Sequence, residues 1–119
     1  MAWMVQLAAE FEPEFESLPD VVQDELLAQA RVLELFGPAA RRPRVDTLNG
    51  SKHPNMKELR FDAAGGVWRV AFAFDPHREA VLLVAGDKSG GSERRFHRRL
   101  IAISDARYDA HLLRISRPN

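Results

Sequence analysis

Three strand-length apolar segments in the middle of the chain constrain its fold more than any other feature. They run from Met56 to Phe61, from Val67 to Phe74 and from Ala80 to Gly86. The two connections between them are short and contain Gly65-Gly66 and Asp75-Pro76, which are residue types that favour tight turns. Because connections this short join only antiparallel neighbours, the pattern predicts a three-stranded antiparallel meander.

The two faces of the predicted central strand differ in size. Trp68, Val70, Phe72 and Phe74 alternate with Arg69, Ala71 and Ala73. We expect the large side to pack on helices. The small side leaves room above Arg69 for a ligand, on a concave and positively charged floor; the alternative is an ordinary arginine facing solvent on a half-exposed sheet.

Helical patterns precede the meander. The residues from Trp3 to Leu7 could form a short strand, and Glu12 to Glu16 resembles an acidic first helical turn. From Pro19 to Phe36 the periodicity is helical, and Gly37-Pro38 marks its end. The predicted inner stripe of this helix is Val22, Leu26, Ala30 and Leu33, widened by Leu27.

A last helix is predicted from about Ser92, a suitable N-cap, to about Ile115. We expect a break near Ser104-Asp105. The residues that trace its predicted inner face are Phe96, Leu100, Ile103, Arg107, Ala110 and Leu113 or Leu112.

Length and composition limit the class of protein. With 119 residues and 45% apolar content, we expect one domain over residues 1–119. No run reaches the roughly 18 apolar residues of a membrane span, and no signal peptide is recognisable, so we expect a cytoplasmic protein without a membrane partner. The absence of cysteine excludes disulfides and thiolate sites, and the four histidines show no ligand spacing. We therefore expect no metal and no cofactor.

Basic residues are concentrated after the first helices. Up to Glu34 the chain has eight acidic residues and one basic residue, whereas the remainder has sixteen Lys or Arg and nine acids. Four arginines lie between Glu93 and Arg99, together with Phe96 and His97. This density suits a polyanion such as RNA, although such a run on an amphipathic helix is more often a solvated or partner-contacting face.

The segments Gly50 to Arg60, Trp68 to Phe72, Ala85 to Lys88 and Glu93 to His97 resemble the HigB-like (phage Gp49-like) branch of the RelE/ParE toxin superfamily. The resemblance implies an α+β fold, a RelE-like compact domain in which N-terminal helices pack on a curved, mainly antiparallel β-sheet, with a C-terminal helix. It also implies a toxin of a type II toxin-antitoxin system, a metal-independent endoribonuclease (mRNA interferase) that cleaves mRNA on the ribosome. The implied partners are a helix-turn-helix antitoxin of HigA type and, only through that complex, operator DNA.

The resemblance also indicates site residues. It implies catalytic roles for Arg69, Lys88, Arg60 and His97, and RNA-binding roles for Lys57, Arg94, Arg95 and Arg98. Strand alternation places Arg60 and Lys57 on opposite faces, so only one of them can join Arg69. For Glu58 an ion-pair role is the simpler expectation, and for Tyr108 and His111 a core or antitoxin-facing role. Two alternatives stay open, a ParE-like inhibitor of DNA gyrase and a non-catalytic interaction or regulatory protein on the same scaffold.

Overall fold

The computed structural model describes residues 3–117 and has α+β architecture, as predicted. Its strands are β1 (Met4–Leu7), β2 (Val45–Thr47), β3 (Lys57–Ala63), β4 (Gly66–Phe74) and β5 (Glu79–Asp87). Its helices are α1 (Glu12–Glu16), α2 (Asp20–Phe36) and α3 (Glu93–Ser116), with a 3-10 turn at Gly37–Ala39. None of the helices in this described range is both long and apolar enough to cross a membrane.

All five strands form one sheet in the order β1-β5-β4-β3-β2. The predicted meander of β3, β4 and β5 is confirmed, and all its pairings are antiparallel. β1 adds in parallel to β5, and β2 adds antiparallel to β3. The sequence reasoning did not predict β2, because a three-residue strand is too short to show a period and lies in a segment rich in proline and glycine.

One face of the sheet packs against α2. The predicted stripe of Val22, Leu26, Ala30 and Leu33 is buried, but Leu27 is 51% exposed, so its assignment to the stripe was wrong. Each residue advances about 100° around a helix, and Leu27 therefore turns away from the sheet that Leu26 contacts.

The opposite face, which carries Arg69, packs against α3. The Phe96 ring lies over Gly86, and Gly86 is the direct partner of Arg69 in the sheet. Ala71 and Ala73 are both 0% exposed. These alanines are covered because their small side chains let a helix approach the sheet closely, and the room expected above Arg69 is present only at that end of the face. The open part of this face lies at Arg69.

Helix α3 is continuous, so the expected break near Ser104-Asp105 was wrong. The Ser104 hydroxyl donates to the carbonyl of Ile101 inside the helix, which satisfies it without a kink. Of the two leucines offered for the end of the predicted inner face, Leu112 packs against the core and Leu113 is exposed, and the prediction left out three residues that the structure buries, Ser104, Tyr108 and His111. The residues that are buried are Leu100, Ser104, Tyr108 and His111. Tyr108 and His111 thus have a core position, and Nε2 of His111 lies 2.8 Å from the buried carboxylate of Asp75.

Candidate functional site

A polar cleft of about 330 Å³ lies where α3 leaves the Arg69 end of the sheet uncovered. Strands β2, β3 and β4, the loop that follows β5 and the first turns of α3 all contribute to it. Its lining residues are Asp46, Thr47, Asn49, Glu58, Arg60, Arg69, Lys88, Glu93, Phe96 and His97. The four predicted catalytic residues are therefore brought together, although they are separated by up to 37 positions in the chain.

Sheet register places two arginines of the cleft side by side. Arg60 on β3 pairs directly with Arg69 on β4, so both side chains leave the same face. Glu58, two positions earlier on β3, shares that face and is 9% exposed at its side chain. Its Oε2 accepts a hydrogen bond from Nε of Arg60 at 3.1 Å, and it lies 3.0 Å from Nη2 of Arg60 and 3.9 Å from Nε of Arg69. The expected ion-pair position of Glu58 is thus confirmed.

A second carboxylate, Asp46 on β2, completes this charge cluster. Asp46 pairs with Glu58 across the sheet, and its Oδ2 lies 3.2 Å from Nη2 of Arg60 and 3.4 Å from Nε of Arg42. Sequence reasoning missed Asp46 because β2 itself was missed. The only signal was an aspartate between Val45 and Thr47, which is too common a pattern to identify a site.

Arg69 combines burial with donors that face the cleft. Its side chain is 13% exposed, and its Nη1 donates to the carbonyl of Trp68 at 3.0 Å. Within residues 3–117, no acceptor lies within hydrogen-bonding distance of its Nη2. Burial lowers the pKa of Arg69, the charge of Arg60 lowers it further, and Glu58 opposes both effects. Arginine stays protonated in proteins, so the consequence is a partly desolvated cation that favours an anionic ligand.

The loop after β5 positions Lys88. Oδ1 of Asp87 accepts hydrogen bonds from the backbone amides of Val67 and Ser89, which folds the loop back onto the start of β4. The loop is thus a tight turn between β5 and α3. Nζ of Lys88 lies 2.9 Å from Oε1 of Glu93, and this contact lowers the pKa of Glu93.

His97 enters the cleft from the first turns of α3. Its Nε2 lies 2.8 Å from the carbonyl oxygen of Asn49. Because a carbonyl can only accept, Nε2 carries the hydrogen, and Nδ1 is the nitrogen that can exchange a proton. The loop that contains Asn49 is itself attached to α3, since Ser51 donates to Asp105 and Lys52 and His53 contact Asp109.

The four predicted RNA-binding residues lie outside the cleft. Lys57 pairs with Phe72 and therefore leaves the sheet on the face opposite to Arg69. Arg94, Arg95 and Arg98 are exposed on the first turns of α3, next to the rim formed by Glu93 and His97. Their binding roles remain predictions.

No group of three or more His, Cys, Asp or Glu side chains in the described range could hold a metal ion. The cleft offers cations for a phosphate, one histidine nitrogen for proton transfer and three carboxylates that contact these cations, Asp46, Glu58 and Glu93.

Comparison with protein families gives a match over residues 13–109 to the family described as phage derived protein Gp49-like (DUF891). This range is most of the chain. The chain belongs to the Gp49-like family. The phage Gp49-like resemblance that the sequence indicated is thereby confirmed.

Two curated relatives of this Gp49-like chain come from Mycobacterium tuberculosis. The putative toxin HigB2 is 52% identical over 66 residues, covering 55% of this chain and 33% of the relative. The putative toxin HigB3 is 49% identical over 76 residues, covering 64% of each chain. The Gp49-like chain thus spans less than two thirds of either relative.

Among solved structures, a double arginine-to-alanine variant of the E. coli toxin RelE in the free state superposes with a TM-score of 0.58. The superposition covers 86% of this chain and 96% of RelE, at 13% sequence identity. At this identity the likeness concerns the fold alone, and the predicted RelE-like fold is confirmed.

Proposed function

We propose that this Gp49-like protein is the toxin of a type II toxin-antitoxin system and acts as a ribosome-dependent mRNA endonuclease. Its family, its two toxin-named relatives and its RelE-like fold support the toxin assignment. The observation that carries the nuclease assignment is the cleft in which Arg69, Arg60, Lys88 and His97 meet. Such a set of cations and one proton-transfer group is sufficient for RNA cleavage without a metal.

In the proposed reaction the 2′-oxygen of one nucleotide attacks the adjacent phosphorus. A base removes the 2′-hydroxyl proton as the new P–O bond forms, and an acid protonates the 5′-oxygen as its bond to phosphorus breaks. The products are a 2′,3′-cyclic phosphate and a 5′-hydroxyl. The dianionic pentacoordinate phosphorus is the point where charge accumulates, and preorganised cations act most strongly there.

Each residue has a role that its position supports. Arg69 lines the cleft, its Nη2 donates no hydrogen bond within residues 3–117, and it binds a non-bridging oxygen of the scissile phosphate. Arg60 is held beside Arg69 by Glu58 and adds a second positive charge. Lys88 exchanges its contact with Glu93 for a phosphate oxygen. His97, with Nε2 bonded to Asn49, transfers a proton through Nδ1.

The proposed partners follow from this assignment. A cognate helix-turn-helix antitoxin of HigA type neutralises the toxin, and operator DNA is bound only by their complex. The substrate is mRNA in the ribosome, and the site of action is the cytoplasm.

The test is controlled expression of the wild type, Arg69→Ala and the control Arg31→Ala in a bacterial host, followed by mapping of mRNA 5′ ends. Arg31 is exposed on α2 and contacts only Glu34 among the described carboxylates, so its loss leaves the cleft intact. Loss of one preorganised donor costs about 10² to 10³ in rate. We therefore expect in-frame, translation-dependent cuts with the wild type and Arg31→Ala, and neither cuts nor growth arrest with Arg69→Ala.

Other results would redirect the assignment. Cuts that persist in Arg69→Ala would remove this residue from the mechanism. Growth arrest without cuts would favour a gyrase-directed, ParE-like activity. Absence of arrest, with binding to an antitoxin retained, would favour a non-catalytic interaction protein.

A further inference from the structure

A second cleft lies across the β2 edge of the sheet from the first one. Its volume is about 430 Å³, and Asp46 and Thr47 line both clefts. Its lining residues are Pro38, Ala40, Arg41, Arg42, Val45, Asp46, Thr47 and Lys57. Since β2 is the edge strand and only three residues long, the two clefts are separated by a single short strand.

Positive charge in the second cleft is poorly neutralised. Within the described range, no carboxylate lies within 4 Å of the side-chain nitrogens of Arg41 or Lys57. Arg42 contacts Asp46 at 3.4 Å, but the same oxygen of Asp46 also lies 3.2 Å from Arg60 in the first cleft. One carboxylate thus serves two arginines. Arg44, next along the segment, is exposed as well.

This arrangement suits the phosphate groups of a nucleic-acid backbone. Arg41 and Arg42 are exposed, and an arginine fork can bind a phosphate through two parallel hydrogen bonds. The cleft is lined by no aromatic residue on which a base could stack. It therefore suits a sugar-phosphate backbone rather than the bases.

We propose that the cleft formed by Arg41, Arg42 and Lys57 is a second phosphate-binding site, which holds RNA backbone beyond the nucleotides in the Arg69 cleft. The site gives a reason for Lys57 to be basic although it faces away from Arg69. The inference rests on the proposed function only in placing the scissile phosphate at Arg69. The RNA can be the continuing substrate strand or a separate strand of the ribosome, and the chemistry recognised is the same.

The test compares two double variants that remove the same charge. Arg41→Gln with Lys57→Gln alters the second cleft but leaves the Arg42–Asp46 contact in place. The control, Arg31→Gln with Arg114→Gln, removes two cations that lie outside both clefts and pair with Glu34 and Glu10. The probes are 2′-O-methyl oligoribonucleotides of four and ten nucleotides, which cannot be cleaved, and purified ribosomes. Binding is measured by fluorescence anisotropy and by co-sedimentation, and thermal unfolding confirms that each variant is folded.

We expect Arg41→Gln with Lys57→Gln to bind the ten-nucleotide probe more weakly than the control does. It should bind the four-nucleotide probe as tightly as the control does. Each lost contact lowers the slope of log affinity against log salt by about 0.7, so two contacts lower it by about 1.4. Between about 50 and 200 mM salt the affinity of the wild type then falls about sevenfold more than that of the variant. Loss restricted to ribosomes would equally support the site and identify a separate RNA strand as its ligand.

Three results would overturn the second site. They are an equal loss for both oligonucleotides, no loss beyond the control with any probe, or no RNA binding by the wild type. The outcome is separate from that of the proposed function, because binding is measured without cleavage. If Arg69→Ala abolishes mRNA cuts while Arg41→Gln with Lys57→Gln behaves as the control, the nuclease stands and the second site falls. If no mRNA cuts occur but Arg41→Gln with Lys57→Gln still loses affinity for the ten-nucleotide probe, the second site stands and the nuclease assignment falls.

Discussion

Replacement of Glu58 by Gln should destabilise the protein and strengthen its binding to RNA. Glu58 is 9% exposed and is the carboxylate that lies between Arg60 and Arg69. Breaking a fully buried ion pair costs about 3 to 5 kcal/mol. Arg60 is 31% exposed and keeps its contact with Asp46, so we expect about 1 to 3 kcal/mol of lost stability. For a chain of this size that corresponds to a fall in Tm of about 4 to 12 °C.

The gain in RNA affinity follows from the same charge. Removing one negative charge about 8 Å from a bound phosphate, at an effective dielectric constant of about 20, lowers the repulsion by about 2 kcal/mol before screening by salt. With screening we expect about 1 to 2 kcal/mol, or about five- to thirtyfold tighter binding at low salt.

The two effects are measured on the same samples. Thermal unfolding gives Tm, and fluorescence anisotropy with the uncleavable ten-nucleotide RNA gives affinity. The control is Glu34→Gln, which removes an exposed carboxylate paired with Arg31 and should change stability by less than about 0.5 kcal/mol. Unchanged stability, or a fall in both stability and affinity, would refute the view that Glu58 neutralises the cleft arginines.

Two further predictions concern the elements that shape the cleft. Gly86→Ala places a Cβ 2.8 Å from the Phe96 ring, so either this ring or α3 must shift, and we expect urea unfolding to show a loss of about 1 to 3 kcal/mol. A neutral result would mean that the Phe96 ring can move without displacing α3. Arg107 holds the pKa of Glu14 below its usual range through hydrogen bonds. A carboxylate whose pKa is lower in the folded state stabilises the fold when the pH is above its pKa in the unfolded state, and this contribution disappears as the pH falls through its pKa in the folded state. Glu14→Gln should therefore be less stable than the wild type at about pH 7 and should approach the stability of the wild type at about pH 3. An equal difference at both pH values would argue against the ion pair.

Local pattern was sufficient for the elements whose residues are close in sequence. Alternation and short turns identified β3, β4 and β5, and the 3.6-residue period identified α2 and most of α3. Strand alternation alone also separated Arg60 from Lys57, and the register confirms that only Arg60 joins Arg69. The resemblance of the segments around these residues to a toxin family pointed to the fold as a whole.

Interactions between segments that are distant in sequence could not be predicted from local pattern. The parallel pairing of β1 with β5 joins residues about 75 positions apart, and β2 has too few residues to show a period. Which face of α3 is buried depends on its angle across β4 and β5, and for that reason the predicted inner face was partly wrong. The packing of α3 on Ala71 and Ala73 also restricted the open surface to the Arg69 end.

The sequence by itself determined which strands and helices form and which residues carry charge, because these depend on neighbours a few positions away. Only the tertiary structure decided that Asp46 and Glu58 hold Arg60, that Asn49 orients His97 and that a second basic cleft adjoins the first. Each of these contacts joins segments brought together by sheet order and helix packing. Such proximity arises from burial of the shared core, which no local pattern contains.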